Sequence, residues 1–166
     1  MSNFEKLCSE VKKVILDDSI PYGRQVEMLR GKESLHDCIS KGLSDSLNEG
    51  NWLDFNAYTV IAGKFPSVSY GPILSSALDM LDSRVIPGEV LLTLRDIADP
   101  RCVPSVRMVL FWKPDWDEFH DLAFKALDVL LKIDNEQAWA VIEEAARDDR
   151  ELVRDSVSRL LRERSG

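Results

Sequence analysis

Apolar residues recur three and four positions apart along nearly the whole chain, and nowhere do Val, Ile and Thr alternate with polar residues for long enough to suggest a sheet. Phe4, Leu7, Cys8, Val11, Val14 and Ile15 make a first stripe and predict a helix over 3–17. Pro21 begins a short second helix that ends at Gly31. Leu35, Cys38, Ile39, Leu43 and Leu47 predict a third, with Gly50 as its left-handed cap. Asn51 is expected to cap a fourth, which carries Trp52, Phe55, Tyr58, Ile61 and Ala62 and cannot continue past Pro66. Pro72 and Pro87 fall in the first turns of helices predicted at 71–82 and 87–98. Pro100 opens another through Val103, Val106, Leu110 and Trp112, and Pro114 separates it from a long helix at 115–133 whose apolar side runs Phe119, Ala123, Ala126, Leu127, Leu130. Helices at 135–147 and 149–163 follow, the last with Leu152, Val153, Val157, Leu160 and Leu161. The pattern predicts an all-α chain of about ten helices.

The helix starts repeat as well. Asp115, Asp134 and Asp148 each stand three residues before Glu118, Gln137 and Glu151, which is the spacing of a capping box. Asp148 follows Asp115 by 33 residues. Two helices per period of that length mark a helical solenoid. The expected organisation is one domain over 1–166, in about five hairpins: an irregular N-terminal cap at 1–32, a degenerate repeat at 33–69, and clearer repeats at 70–99, 100–133 and 134–164. The run Asp99-Pro100-Arg101-Cys102-Val103-Pro104, an apolar helix, then Asp115 to Ala123 and Ala126-Leu127, resembles a HEAT repeat, as does Leu152-Val153-Arg154 with Val157 and Leu160. The resemblance covers about 70–163 and departs from the family pattern at Phe119-His120 and Arg159. It implies a right-handed α-α superhelix.

Charge narrows the choice of partner. The 29 acidic and 21 basic residues give −8, which disfavours a nucleic-acid surface and favours a basic protein. Residues 114–163 hold fourteen acids and seven bases, so nearly all of the imbalance lies there. Cys8, Cys38 and Cys102 are odd in number, far apart and each in an apolar stripe, so the expectation is buried, reduced thiols. The first eighteen residues lack the apolar core of a signal peptide, and no stretch approaches the length of a membrane span. A cytoplasmic monomer is expected.

No catalytic, cofactor-binding or metal-ligating set is expected, because His36 and His120 are the only histidines, no cysteines are spaced as ligand pairs, and no Gly-rich loop joins a strand to a helix. His36 and Cys38 stand two apart on a helix and point to different faces. Several acids cap helices or pair at four-residue spacing, as Asp121 with Lys125 and Asp128 with Lys132. Arg147, Arg150, Arg154, Arg159, Arg162 and Arg164 read as a solvated terminal cap. What remains is Trp112 and Trp116 at a turn among carboxylates, the composition of an interface anchor. Trp112, Trp116, Asp117 and Asp121, with Asp155 one repeat later, form the candidate partner-binding set. In size, charge and repeat type the chain resembles the small acidic HEAT-like immunity proteins of bacterial toxin systems, which implies neutralisation of a basic, nuclease-type toxin domain by direct binding and no enzymatic activity. The alternative is a HEAT-like enzyme accessory or lyase of the bilin lyase type, or a generic adaptor; a repeat-built DNA glycosylase is disfavoured by the net charge.

Overall fold

The computed structural model describes residues 1–166 and contains ten α-helices, three short 3-10 turns and no strand. The helices are α1 (Asn3–Ile15), α2 (Tyr22–Leu29), α3 (Leu35–Glu49), α4 (Trp52–Ala62), α5 (Gly71–Asp79), α6 (Pro87–Ile97), α7 (Val103–Phe111), α8 (Asp121–Ile133), α9 (Glu136–Glu144) and α10 (Glu151–Ser165). Consecutive helices pack as pairs, from α1 with α2 to α9 with α10. Odd-numbered helices also pack on the next odd-numbered one, and α4 on α6 and α6 on α8, so the pairs stack in two layers. Apolar side chains between the layers form one continuous core from Val11 in α1 to Val157 in α10. No helix is long and apolar enough to cross a membrane.

Local chemistry sets most of the element ends. Ser2 and Glu5 form a reciprocal capping box on α1, and the Asn51 carboxamide accepts the Asp54 N–H at 3.2 Å at the start of α4. Gly50 takes the left-handed conformation that closes α3. Proline stands in the first turns of α5, α6 and α7, where its missing N–H has no intrahelical partner to lose.

Three expected caps are corrected. Asp134 is the left-handed C-cap of α8 and accepts the Trp139 indole N–H at 2.7 Å; its neighbour Asn135 caps α9 instead, accepting from the Ala138 N–H. Asp148 ends a 3-10 turn and binds Arg150 rather than the first turn of α10. Residues 112–120 are a loop and not helix, so Asp115 caps no helix, and Phe119 lies outside the apolar side assigned to it and is 79% exposed. In α10 the periodicity also over-reaches: Val153 and Val157 are buried, but Leu152 is exposed and Leu160 only half-buried.

The thiol expectation is corrected in part. Cys8 of α1 and Cys38 of α3 are joined by a disulfide, with Cα atoms 4.9 Å apart, while Cys102 is a buried free thiol. Stripes of α1 and α3 that face each other between neighbouring helix pairs bring together residues 30 positions apart in sequence. Burial pushes the Cys102 thiol up to about 11, and its Sγ–H donates to the Asp99 carbonyl.

Candidate functional site

The turns inside the last three helix pairs carry related triplets in a strict 33-residue register: Asp82-Ser83-Arg84, Asp115-Trp116-Asp117 and Asp148-Asp149-Arg150. In the first and third, the aspartate accepts the backbone N–H two residues on, at 2.9 Å in both, and both of its oxygens accept from the guanidinium of the same arginine. The arginine then reaches back to the preceding helix pair. Arg84 lies over the Trp52 ring, 4.8 Å from its centroid, and Arg150 Nη2 donates to the Leu110 carbonyl at 2.6 Å. Asp99-Pro100-Arg101, in the connection from α6 to α7, repeats the same clip. Guanidinium hydrogen bonds hold Asp82 and Asp99 below the ordinary carboxylate range, and bring Asp148 down to about 2. Burial opposes this shift at Asp99 and Asp148 without reversing it.

The middle triplet has Asp117 where its counterparts have arginine, and the loop around it is built differently. The Asp117 carboxylate accepts the N–H groups of Asp121 and Leu122 at 2.9 and 3.1 Å, capping α8 from outside the helix. His120, left-handed at φ 59°, turns the chain into that helix. The Asp117 and His120 N–H groups donate to the carbonyls of Pro114 and Asp117, making two successive turns. Trp112 and Trp116 meet edge to face with centroids 5.8 Å apart, so the exposed ring is braced by the half-buried one. Trp116 is 53% exposed and Phe119 more so.

Two clefts flank these rings. One, of 360 Å³, is lined by Trp112, Asp115, Asp117, Glu118 and Asp149 among others. Lys113 spans its rim to Asp149 at 2.5 Å. The other, of 460 Å³, lies between Trp116 and the start of α6, with Ile86, Pro87 and Leu122 as apolar wall. Asp121 lines it too, but its charge is met by Lys125 at 2.7 Å. Asp115 and Glu118 are exposed and take part in no ion pair or hydrogen bond with another side chain.

Of the sequence-derived candidates, Trp112, Trp116 and Asp117 come together in this loop and Asp121 lies beside it on the first turn of α8. Asp155 is exposed on α10, lines neither cleft and makes no ion pair. The candidate set left out Phe119, assigned to the apolar side of a helix, and Asp115 and Glu118, which stand among the acids around Trp116 but were assigned to a helix cap. The signal that would have found the loop is the register itself: Asp-x-Arg at 82 and 148 becomes Asp-x-Asp at 115. Elsewhere, His36 is exposed with Nδ1 2.9 Å from the Tyr70 hydroxyl, and no group of three or more His, Cys, Asp or Glu side chains is arranged to hold a metal ion. The chain matches no protein-family model and no curated protein in sequence.

Proposed function

We propose that this chain is a protein-binding module, a HEAT-like right-handed superhelix that binds a basic protein through the loop at 112–120. The observation that carries the reading is the exposure of Trp116 and Phe119 on a loop whose Asp115 and Glu118 have no partner within the chain. An aromatic ring braced by a second ring loses little freedom on docking, and such anchors are worth about 2 kcal/mol or more when an interface buries them. The surrounding negative charge, part of a net −8, steers a cationic partner towards the loop and repels an anionic one.

Within that class, the reading is an immunity protein that neutralises a nuclease-type toxin domain by direct binding. The test is co-purification from the native host, followed by expression of the captured protein alone and with this chain. Growth arrest by the captured protein, relieved by the wild-type chain and not by Trp116→Ala, is expected. A captured protein that leaves growth unaffected would overturn the immunity reading, and relief by Trp116→Ala equal to wild type would remove the loop from the interface.

A further inference from the structure

Ile20, Leu53, Ile86, Phe119 and Leu152 stand in an unbroken 33-residue register, one within two residues of the start of the second helix in each pair. Ile20 is half-buried, but the other four are 47–84% exposed, so the core does not account for them. Exposed apolar residues scattered singly are normal on a protein surface, whereas one per helix pair at a fixed position makes a row. Contacts between the pairs place these four along one edge of the stack. Asn56 of α4 donates to the Arg84 carbonyl at 2.9 Å and accepts the Ile86 N–H at 3.1 Å. Ile86 and Trp116 line one cleft. Glu118 and His120, on either side of Phe119, line another with Asp149 and Arg150, just before Leu152. Acids accompany the row in the same register: Glu118 and Glu151 stand one residue before Phe119 and Leu152, and Glu89 and Asp155 three residues after Ile86 and Leu152. None of these four acids forms an ion pair within the chain.

We propose that the row from Leu53 to Leu152 is the docking edge for one α-helix of the basic partner, apolar on one side at seven-residue spacing and flanked by lysine or arginine. Packed helices lie about 8–10 Å apart, and seven residues of an α-helix rise about 10.5 Å, so a helix laid across the pairs sets one apolar side chain against each. Residues seven apart also return to nearly the same side of the helix. The protein has no strand, hence no sheet edge for an extended segment to join, whereas a helix satisfies its own backbone. The unpaired acids on both sides of the row complement a cationic helix and oppose a second copy of this chain, which itself carries −8. This rests on the reading of the chain as a module for a basic protein, and it widens the binding face from one loop to an edge of the stack.

The experiment follows the isoleucine, leucine and valine methyl signals of the full chain by NMR during titration with two capped helical peptides rich in lysine and alanine. The first carries four leucines seven residues apart; the second has the same composition with its leucines spread round the helix. With the first peptide, Leu53, Ile86 and Leu152 are expected to shift on one binding curve, while Val68, exposed but outside the row, stays in place. The second peptide should bind at least fivefold more weakly. Leu53→Ser with Leu152→Ser, at the two ends of the row and outside the loop at 112–120, should weaken the first peptide at least fivefold at an unchanged melting temperature. Equal binding of the two peptides, or undiminished binding by the double variant, would overturn the row. Shifts confined to Ile86 would overturn it too and leave the loop as the binding face, and broadening of the row methyls on concentrating the chain alone would assign the edge to a second copy. No response to either peptide would overturn the docking helix alone, because the basic-protein reading stands or falls on the captured partner.

Discussion

At the scale of single residues, close approach and buried charge decide more than propensity does. Gly42 lies mid-helix in α3, where alanine is ordinarily better by about 1 kcal/mol. A Cβ there would stand 2.1 Å from the Tyr58 ring, which is itself buried. Overpacking of that kind costs about 1–3 kcal/mol, so Gly42→Ala is expected to destabilise the protein in urea unfolding by about 1–2 kcal/mol; a stabilised variant would contradict the packing of α3 on α4. Asp148 and Arg150 are the most deeply buried ion pair, with side chains 1% and 7% exposed. Asp148→Ala leaves the guanidinium uncompensated against the Leu110 carbonyl and is expected to cost about 3–5 kcal/mol, more than loss of a helix cap would. The same pair sets a pH dependence. The folded carboxyl sits at about 2 against an ordinary 3.8. Its contribution is complete above 3.8 and is lost as pH falls through about 2, roughly 2 kcal/mol in all. Thermal unfolding followed from pH 5 to 2 should show this loss, and Asp148→Asn should flatten that part of the profile.

At the scale of elements, the apolar stripes were legible and the polar ends were not. Stripes in α1, α3, α7 and α8 point inward as the three- and four-residue spacing requires, apart from the exposed Phe4 and Phe119, and the prolines and Asn51 mark helix starts where the sequence places them. Aspartate is ambiguous, because one carboxylate serves a helix N-terminus, an adjacent turn or an arginine two residues on with similar local spacing. Asp115 to Glu118 satisfied the rule for a capping box and still formed a loop, since Asp117 caps α8 from four residues before it. Asp117→Ala is thus expected to lower stability by about 0.5–2 kcal/mol, measured by thermal unfolding, with Asp115→Asn and Glu118→Gln silent. Equal effects at all three positions would place the cap elsewhere. The Cys8–Cys38 bond was also illegible, because pairing across helices leaves no trace in spacing. It ties α1 to α3, while α2 buries only Gln25 and Leu29. Closing a loop of 30 residues restricts the unfolded chain by about 3.5 kcal/mol, so reduction is expected to lower the unfolding free energy by roughly that amount, read in guanidinium with and without a dithiol reductant. No change on reduction would mean that α1 is held by packing alone.

At the scale of the whole molecule, five helix pairs share one core, and the arginine clips tie neighbouring pairs through backbone carbonyls and a tryptophan ring. Charge and aromatic exposure then distinguish one place along the stack, the turn between α7 and α8, where the clip is interrupted and the chain turns its rings outward. Composition already indicated an acidic stretch with Trp116 as a candidate anchor, and the ring is exposed. Which carboxylates remain free was not readable from it, since that depends on which ones the fold has already used. Asp117 and Asp121 are occupied by the α8 cap and by Lys125, so reversing their charge would confound stability with binding. Asp115 and Glu118 separate the two. The central claim, that this loop binds a basic protein, is tested most directly by surface plasmon resonance of the co-purified partner against wild type and the Asp115→Lys, Glu118→Lys double variant across a salt series. At low salt the variant should associate at least fivefold more slowly than wild type, at an unchanged melting temperature, and the difference should shrink as salt screens the charges. Association at the wild-type rate throughout the series would contradict the claim.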